Sequence, residues 1–249
     1  PSDFYQKVFE RRGTERIHFV RSVLNKKHKL KLDKVRKSMD ELQTYNIEPK
    51  IISTEYKRKK TTSVSSPKKR SVRKGKVTRI NTHKIGSKGE HRALAGFIRP
   101  LENLLENEPH EFAKGVEKMK SLLLKYWEEK DIQPLLNHAT DALDDSRSNE
   151  DRLLSLIGFI HLSDYSDGFG CDMLGYLPDE DIALAIEVKT TATKGNILVS
   201  QNEWKVAEEL GSDYAFLVIL RNKSRISSID IMIDPHSDIH LDIQIVWLE

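Results

Sequence analysis

Ile182-Ala-Leu-Ala-Ile-Glu-Val-Lys-Thr190 is the stretch from which the rest of the chain can be read. Side chains alternate faces along a strand, so Ile182, Leu184, Ile186 and Val188 point one way, into a core. Ala183, Ala185, Glu187 and Lys189 point the other way. Two small residues followed by an acid and a base describe a strand that passes under another element and then opens into a polar site. Burying Glu187 and Lys189 is costly unless they pair or hold a metal. The plainer alternative is an exposed strand edge with a solvated Glu–Lys pair. Glu-x-Lys alone carries little weight, since it occurs five times, at Glu48, Glu55, Glu128, Glu187 and Glu203. Only at Glu187 does it end an apolar strand that has an acid on a preceding candidate strand.

That acid is Asp172 in Gly168-Phe-Gly-Cys-Asp-Met173. Between the two lies Tyr176-Leu-Pro-Asp-Glu-Asp181, a turn of hairpin type, and antiparallel pairing across it brings Asp172 toward Glu187. Two carboxylates at one site repel each other, and a divalent cation is the usual resolution. Downstream, Ser200 followed three residues later by Glu203 marks a capping box opening a helix over about Gln201–Leu210, with a contact of Glu203 to the site as the lesser alternative. Period-two patterning places further strands at Gly158–Ser163, Cys171–Tyr176, Ile197–Val199, Tyr214–Leu220 and Ile229–Ile233, with a last one at 239–247. Trp204 reads as core, and Cys171 as buried and inert. His236 and His240 flank Asp238 but make an incomplete metal-ligand set.

Taken together, GFGCDML (168–174), IALAIEVKTT (182–191) and ILVSQNEWKVAEELGSDYAFLVI (197–219) resemble the NO VEIN C-terminal domain family, within the PD-(D/E)XK, restriction-endonuclease-like nuclease superfamily. The resemblance covers about residues 150–235. It implies a catalytic triad of Asp172, Glu187 and Lys189, with Mg²⁺ (or Mn²⁺) held by Asp172, Glu187 and the carbonyl of Val188. On this likeness Lys189 orients or deprotonates the attacking water, or stabilises the developing charge. Relatives carry an additional acid on the helix before the first strand, for which Glu150 is the candidate; a plain helix-dipole role accounts for it equally. The activity implied is metal-dependent endonucleolytic hydrolysis of DNA, in restriction or defence. Its rival is a non-catalytic module that binds nucleic acid or protein, within a larger ATPase or helicase-like chain.

Working outward, residues 90–145 show helical stripes: Ala93, Leu94, Phe97, Ile98 and Leu101, broken at Pro100, then Phe112, Val116, Met119, Leu122 and Leu123 after Pro109, then a helix over about 132–143. Residues 1–54 read as a basic helical region with apolar spacing at Phe4, Val8 and Phe9, and at Leu32, Val35, Met39 and Leu42. Residues 55–89 read as a flexible basic linker. By the resemblance residues 146–249 form the nuclease-like domain, a mixed β-sheet with flanking helices, and the whole reads as an α+β protein.

The net charge of +3 conceals a polar chain: residues 1–94 hold 27 Lys/Arg against 9 Asp/Glu, and the remainder holds 14 against 29. The basic front fits a polyanion, with DNA the partner, and also fits a solvated linker or an import signal. Its candidate phosphate contacts are Lys57, Arg58, Lys59, Lys60, Lys68, Lys69, Arg70, Arg73, Lys74 and Lys76, joined by Lys194 in the turn after the active strand. No apolar run is long enough to span a bilayer, so no membrane partner is expected. The lone Cys171 suits a reducing compartment, cytoplasmic in a prokaryote or nuclear in a eukaryote. A homodimer and a larger multidomain assembly are both left open.

Overall fold

In a computed structural model, the described residues are 30, 32–43, 49–51, 83–191, 196–222, 225–235 and 244–248. In chain order they form helix α1 over residues 32–43, β1 (Pro49–Ile51), α2 (His83–Asn107), α3 (Pro109–Tyr126), α4 (Glu129–Leu143), α5 (Asn149–Ile160), β2 (Met173–Leu177), β3 (Ile182–Thr191), β4 (Asn196–Ser200), α6 (Gln201–Leu210), β5 (Tyr214–Asn222), β6 (Arg225–Ile233) and β7 (Gln244–Leu248). The protein is α+β, as the change of period along the sequence requires.

β3 is interior to the main sheet, whose order is β1-β6-β5-β3-β2. β3 runs antiparallel to β2, with Met173 opposite Ile186, and parallel to β5, with Glu187 opposite Phe216. β6 is antiparallel to β5, and β1 is parallel to β6. β4 and β7 form a separate parallel pair. The β2–β3 hairpin closes at Asp181, whose φ of 53° is a conformation that Asp tolerates better than most residues. Its carboxylate accepts from the Tyr176 hydroxyl at 2.7 Å and pairs with Lys118 at 2.6 Å, which ties the turn to α3.

The helical middle packs directly on this sheet. One continuous core runs from Leu32 and Val35 of α1 through Phe97, Phe112 and Trp127 to Ile186 and Phe216. Phe97 of α2 and Ile186 of β3 both crowd against Gly175, and Gly115 of α3 faces the ring of Tyr176. A Cβ at Gly115 would sit 2.6 Å from Tyr176 Cδ1. Gly115→Ala therefore forces α3 off the sheet or the ring out of its rotamer, and the expected cost is about 1–3 kcal/mol in a denaturant titration. An unchanged midpoint would show that the contact yields freely. The Arg92 guanidinium, itself buried, grips Glu41 through two hydrogen bonds of 2.7 and 3.2 Å and fastens α1 to α2.

Three expectations change. α2 begins at His83, inside the span read as linker, and runs through Pro100 without a break. Its stripe is buried on both sides of the proline, and that burial outweighs the roughly 3 kcal/mol cost of an interior proline. Gly158–Ser163 is not a strand: it is the end of α5 followed by a short 3-10 turn at Leu162–Asp164. Leu153–Ile160 is buried on every side, so the segment shows the continuous apolar run that a buried helix shares with a buried strand. Among the described residues no helix is long and apolar enough to cross a membrane.

Candidate active site

Asp172 stands where β2 parts from β3. Its N–H still donates to the Ile186 carbonyl at 2.9 Å, extending the hairpin by one residue, and its carbonyl accepts from the Ser163 N–H at 3.0 Å. Beyond that point the edge of β3 has lost its partner strand, and the Asp172 side chain takes over. Its Oδ2 accepts from the Val188 N–H at 2.8 Å. A residue's N–H and C=O leave a strand on the same side, so the Val188 carbonyl is directed to the edge that Asp172 occupies. The preceding Gly170 has φ 71°, and a Cβ there would lie 2.3 Å from Val206 Cγ2 of α6. Only glycine lets this loop approach so closely in a left-handed conformation.

Glu187 and Lys189 share a face of β3, as the alternation demands. Glu187 is 7% exposed, and its Oε1 accepts from Lys189 Nζ at 2.9 Å. The same Nζ donates to Glu203 Oε2 at 2.6 Å. Glu203 belongs to the capping box of α6: its Oε2 accepts from the Ser200 N–H at 2.9 Å, and its own N–H donates to Ser200 Oγ at 3.3 Å. The expected cap is present, and its glutamate also reaches the site.

A further carboxylate arrives from α2. Glu90 Oε2 lies 3.1 Å from Nε2 of the buried His161 and accepts from Ser163 Oγ at 3.2 Å. Ser163 Oγ is also 3.0 Å from His161 Nε2, and His161 Nδ1 is 3.5 Å from Asp164 Oδ1. Burial alone would raise the Glu90 pKa, but hydrogen bonding and charge from His161, with Ser163, hold it below the ordinary value.

The electrostatics of the other members run the opposite way. Burial, then the charge of Glu90, pushes Asp172 up to about 7, against the hydrogen bond from Val188 and the charge of Lys189. Burial, then the charge of Asp172, holds Glu187 well above the usual carboxylate range. Burial works to lower Lys189, yet the charges of Glu187 and Glu203 more than offset it and lock the side chain as an ammonium. Glu187 and Glu203 thus share one lysine, Asp172 bears on Glu187, and Glu90 bears on Asp172, so acidic groups outnumber the cation in a poorly solvated place. That shortage of positive charge is what a divalent cation relieves. Among the described residues no group of three or more His, Cys, Asp or Glu is arranged to hold a metal ion. Asp172 and Glu187 with the Val188 carbonyl make a smaller, all-oxygen set, and such a set suits Mg²⁺, which keeps several waters.

The sequence candidates divide accordingly. Asp172, Glu187, Val188 and Lys189 come together. Glu150 does not join them: it is exposed in the first turn of α5, whose 12 residues carry the chain about 18 Å before His161 is reached. The helix acid whose charge acts on Asp172 is Glu90, on α2, well upstream in the chain. No spacing rule links it to Asp172, and its only sequence signal is an acid opening the α2 stripe. Cys171 is buried, and Trp204 is half-buried against the core. The basic residues Lys57 to Lys76, Lys194, His236 and His240 lie outside the described residues.

The fold and this cluster define a mixed-sheet α+β domain with an acid–acid–lysine site at the end of an interior strand. Residues 146–231 match the family model described as Protein NO VEIN, C-terminal. The match spans about a third of the chain, from α5 into β6, and includes Asp172, Glu187, Lys189 and Glu203 but not Glu90. No curated protein and no solved structure matches the chain.

Proposed function

We propose that this chain is a divalent-metal-dependent endonuclease of the PD-(D/E)XK type, hydrolysing phosphodiester bonds in DNA. The observation that carries the reading is the convergence of Asp172, Glu187 and Lys189 where β2 leaves β3, with both acids pushed upward by burial and by their neighbours. Asp172 and Glu187, with the Val188 carbonyl, are the residues that would hold Mg²⁺ or Mn²⁺. The ion, when bound, supplies Lewis acidity at the phosphate and an acidified water. Lys189, kept charged by two carboxylates, offers its ammonium to the negative charge that grows on the phosphate oxygens, a better fit to its environment than proton abstraction. Glu90, anchored by His161 and Ser163, completes the acidic wall beside Asp172. The basic front supplies phosphate contacts that position DNA, with a salt-dependent affinity. A role in restriction or defence rests on family analogy.

The small ligand set supports a second reading, a nucleic-acid- or protein-binding module that keeps the fold without the chemistry. Incubation with plasmid, single-stranded DNA and RNA, with and without Mg²⁺ or Mn²⁺, separates the two. The expected result is metal-dependent cleavage of DNA. A protein that binds DNA, cleaves nothing and shows no response of its melting curve to divalent ions belongs to the binding class.

A further inference from the structure

We infer that Glu203 is the positioning residue that keeps the Lys189 ammonium at the site. This rests on the reading of Lys189 as the group that meets the reacting phosphate. A capping box needs from its third residue only an acceptor for the N-cap N–H, and Gln serves as well as Glu. Glu203 does more. The same Oε2 that accepts from Ser200 N at 2.9 Å also accepts from Lys189 Nζ at 2.6 Å, a shorter contact than the 2.9 Å between Lys189 and Glu187. Neither partner is a solvated surface group: the two side chains are 15% and 19% exposed.

The placement explains why two carboxylates are needed for one lysine. Glu187 is the partner that a divalent ion would engage, and an ion on that carboxylate competes with the ammonium for it. Glu203 is fixed by its own helix start and stays available. Its position is set by backbone, because Ser200 both ends β4 and caps α6. α6 also packs against the Asp172 approach through Val206 and Gly170, and Tyr214 OH donates to the Gly170 carbonyl at 3.0 Å. One helix start therefore sets the lysine, and the same helix sets the loop that delivers the aspartate.

Glu203→Gln separates the two roles, because the amide oxygen still accepts from Ser200 N while the charge is gone. The protein is expected to melt near the wild-type temperature, bind DNA with unchanged Kd, keep its KM, and lose about 10–100-fold in kcat. Ser200→Ala is the converse control: it removes the hydroxyl cap, and it should lower the melting temperature while Lys189 keeps its partners. An independent readout is the ¹H–¹⁵N signal of the Lys189 side-chain ammonium, identified by its loss in Lys189→Arg. It should be visible in the wild type because the group is held, should persist when Mg²⁺ is added, and should broaden away in Glu203→Gln with Mg²⁺ present. A signal that survives Glu203→Gln, or that is missing from the wild type, overturns the inference. So does loss of the signal with kcat unchanged. If the wild type cleaves no nucleic acid, the nuclease reading fails, and the ammonium signal still decides whether Glu203 holds Lys189.

Discussion

Glu187→Ala should reduce cleavage by at least about 10³-fold and abolish the response of the melting temperature to Mg²⁺. Glu187 is the one residue that contributes to every part of the proposed site: it would be a metal ligand, it neighbours Asp172, and it is a partner of the Lys189 ammonium. Loss of a metal that polarises phosphate removes several kcal/mol of transition-state stabilisation, and each ~1.36 kcal/mol is tenfold in rate. The fold should survive, because Glu203 remains to pair Lys189 at 2.6 Å and the backbone pairing of β3 does not involve the carboxylate. In the wild type, Mg²⁺ at about a hundred times its Kd contributes roughly 2.7 kcal/mol and so raises the melting temperature by about 5–10 °C. Paired cleavage and melting measurements check both halves. Cleavage that persists in Glu187→Ala would place the chemistry elsewhere. A wild-type melting curve indifferent to Mg²⁺ and Mn²⁺ would remove the metal from the proposal.

What the sequence makes legible follows the range of the forces involved. β3 and the hairpin are legible because strand alternation and turn chemistry act over a few residues, and α6 is legible because a capping box is four residues long. Asp172, Glu187 and Lys189 lie on those local devices, so their meeting is legible as well. Glu90 is not. It reaches the site through the packing of α2 on the sheet, and it is fixed by His161 and Ser163, which lie in a segment whose apolar run reads as a strand. A helix buried all round has no polar face to betray its period, so α5 and the turn after it give the wrong signal. Glu150 comes from the family resemblance and not from any local device, and it opens the 12-residue α5 whose far end leads to His161. For Glu203 the sequence offers a cap first and a contact with the site second, and only the position of Lys189 shows that the two hold together.

Metal-free wild-type protein should lose stability as pH rises from about 5 to 8, and Asp172→Asn should remove most of that loss. The Asp172 pKa stands at about 7 in the fold against an ordinary 3.8, from burial first and the Glu90 charge second. Between those values the folded state holds a proton that the unfolded chain has released. Stability from this group is therefore complete below about 4 and falls as pH passes through about 7. The displacement corresponds to up to about 4 kcal/mol at pH 8. Glu187, also displaced upward, adds a loss of the same sign. Glu90 and Asp181 are displaced downward and act oppositely, but their stabilisation is lost only as pH drops below the ordinary carboxylate range, outside this window. The amide oxygen introduced by Asp172→Asn can still accept from the Val188 N–H, so the edge of β3 stays capped while the ionisation is gone. The variant should match the wild type near pH 5 and melt about 5–10 °C higher at pH 8, with a shallower slope because Glu187 has lost a charged neighbour. Added Mg²⁺ should narrow that gap by restoring the wild type alone, since an ion held by both carboxylates favours their charged forms. A wild-type stability that is flat or rises from pH 5 to 8, or an Asp172→Asn curve parallel to it, would mean that Asp172 is ionised in the fold and that the site carries no unmet demand for positive charge.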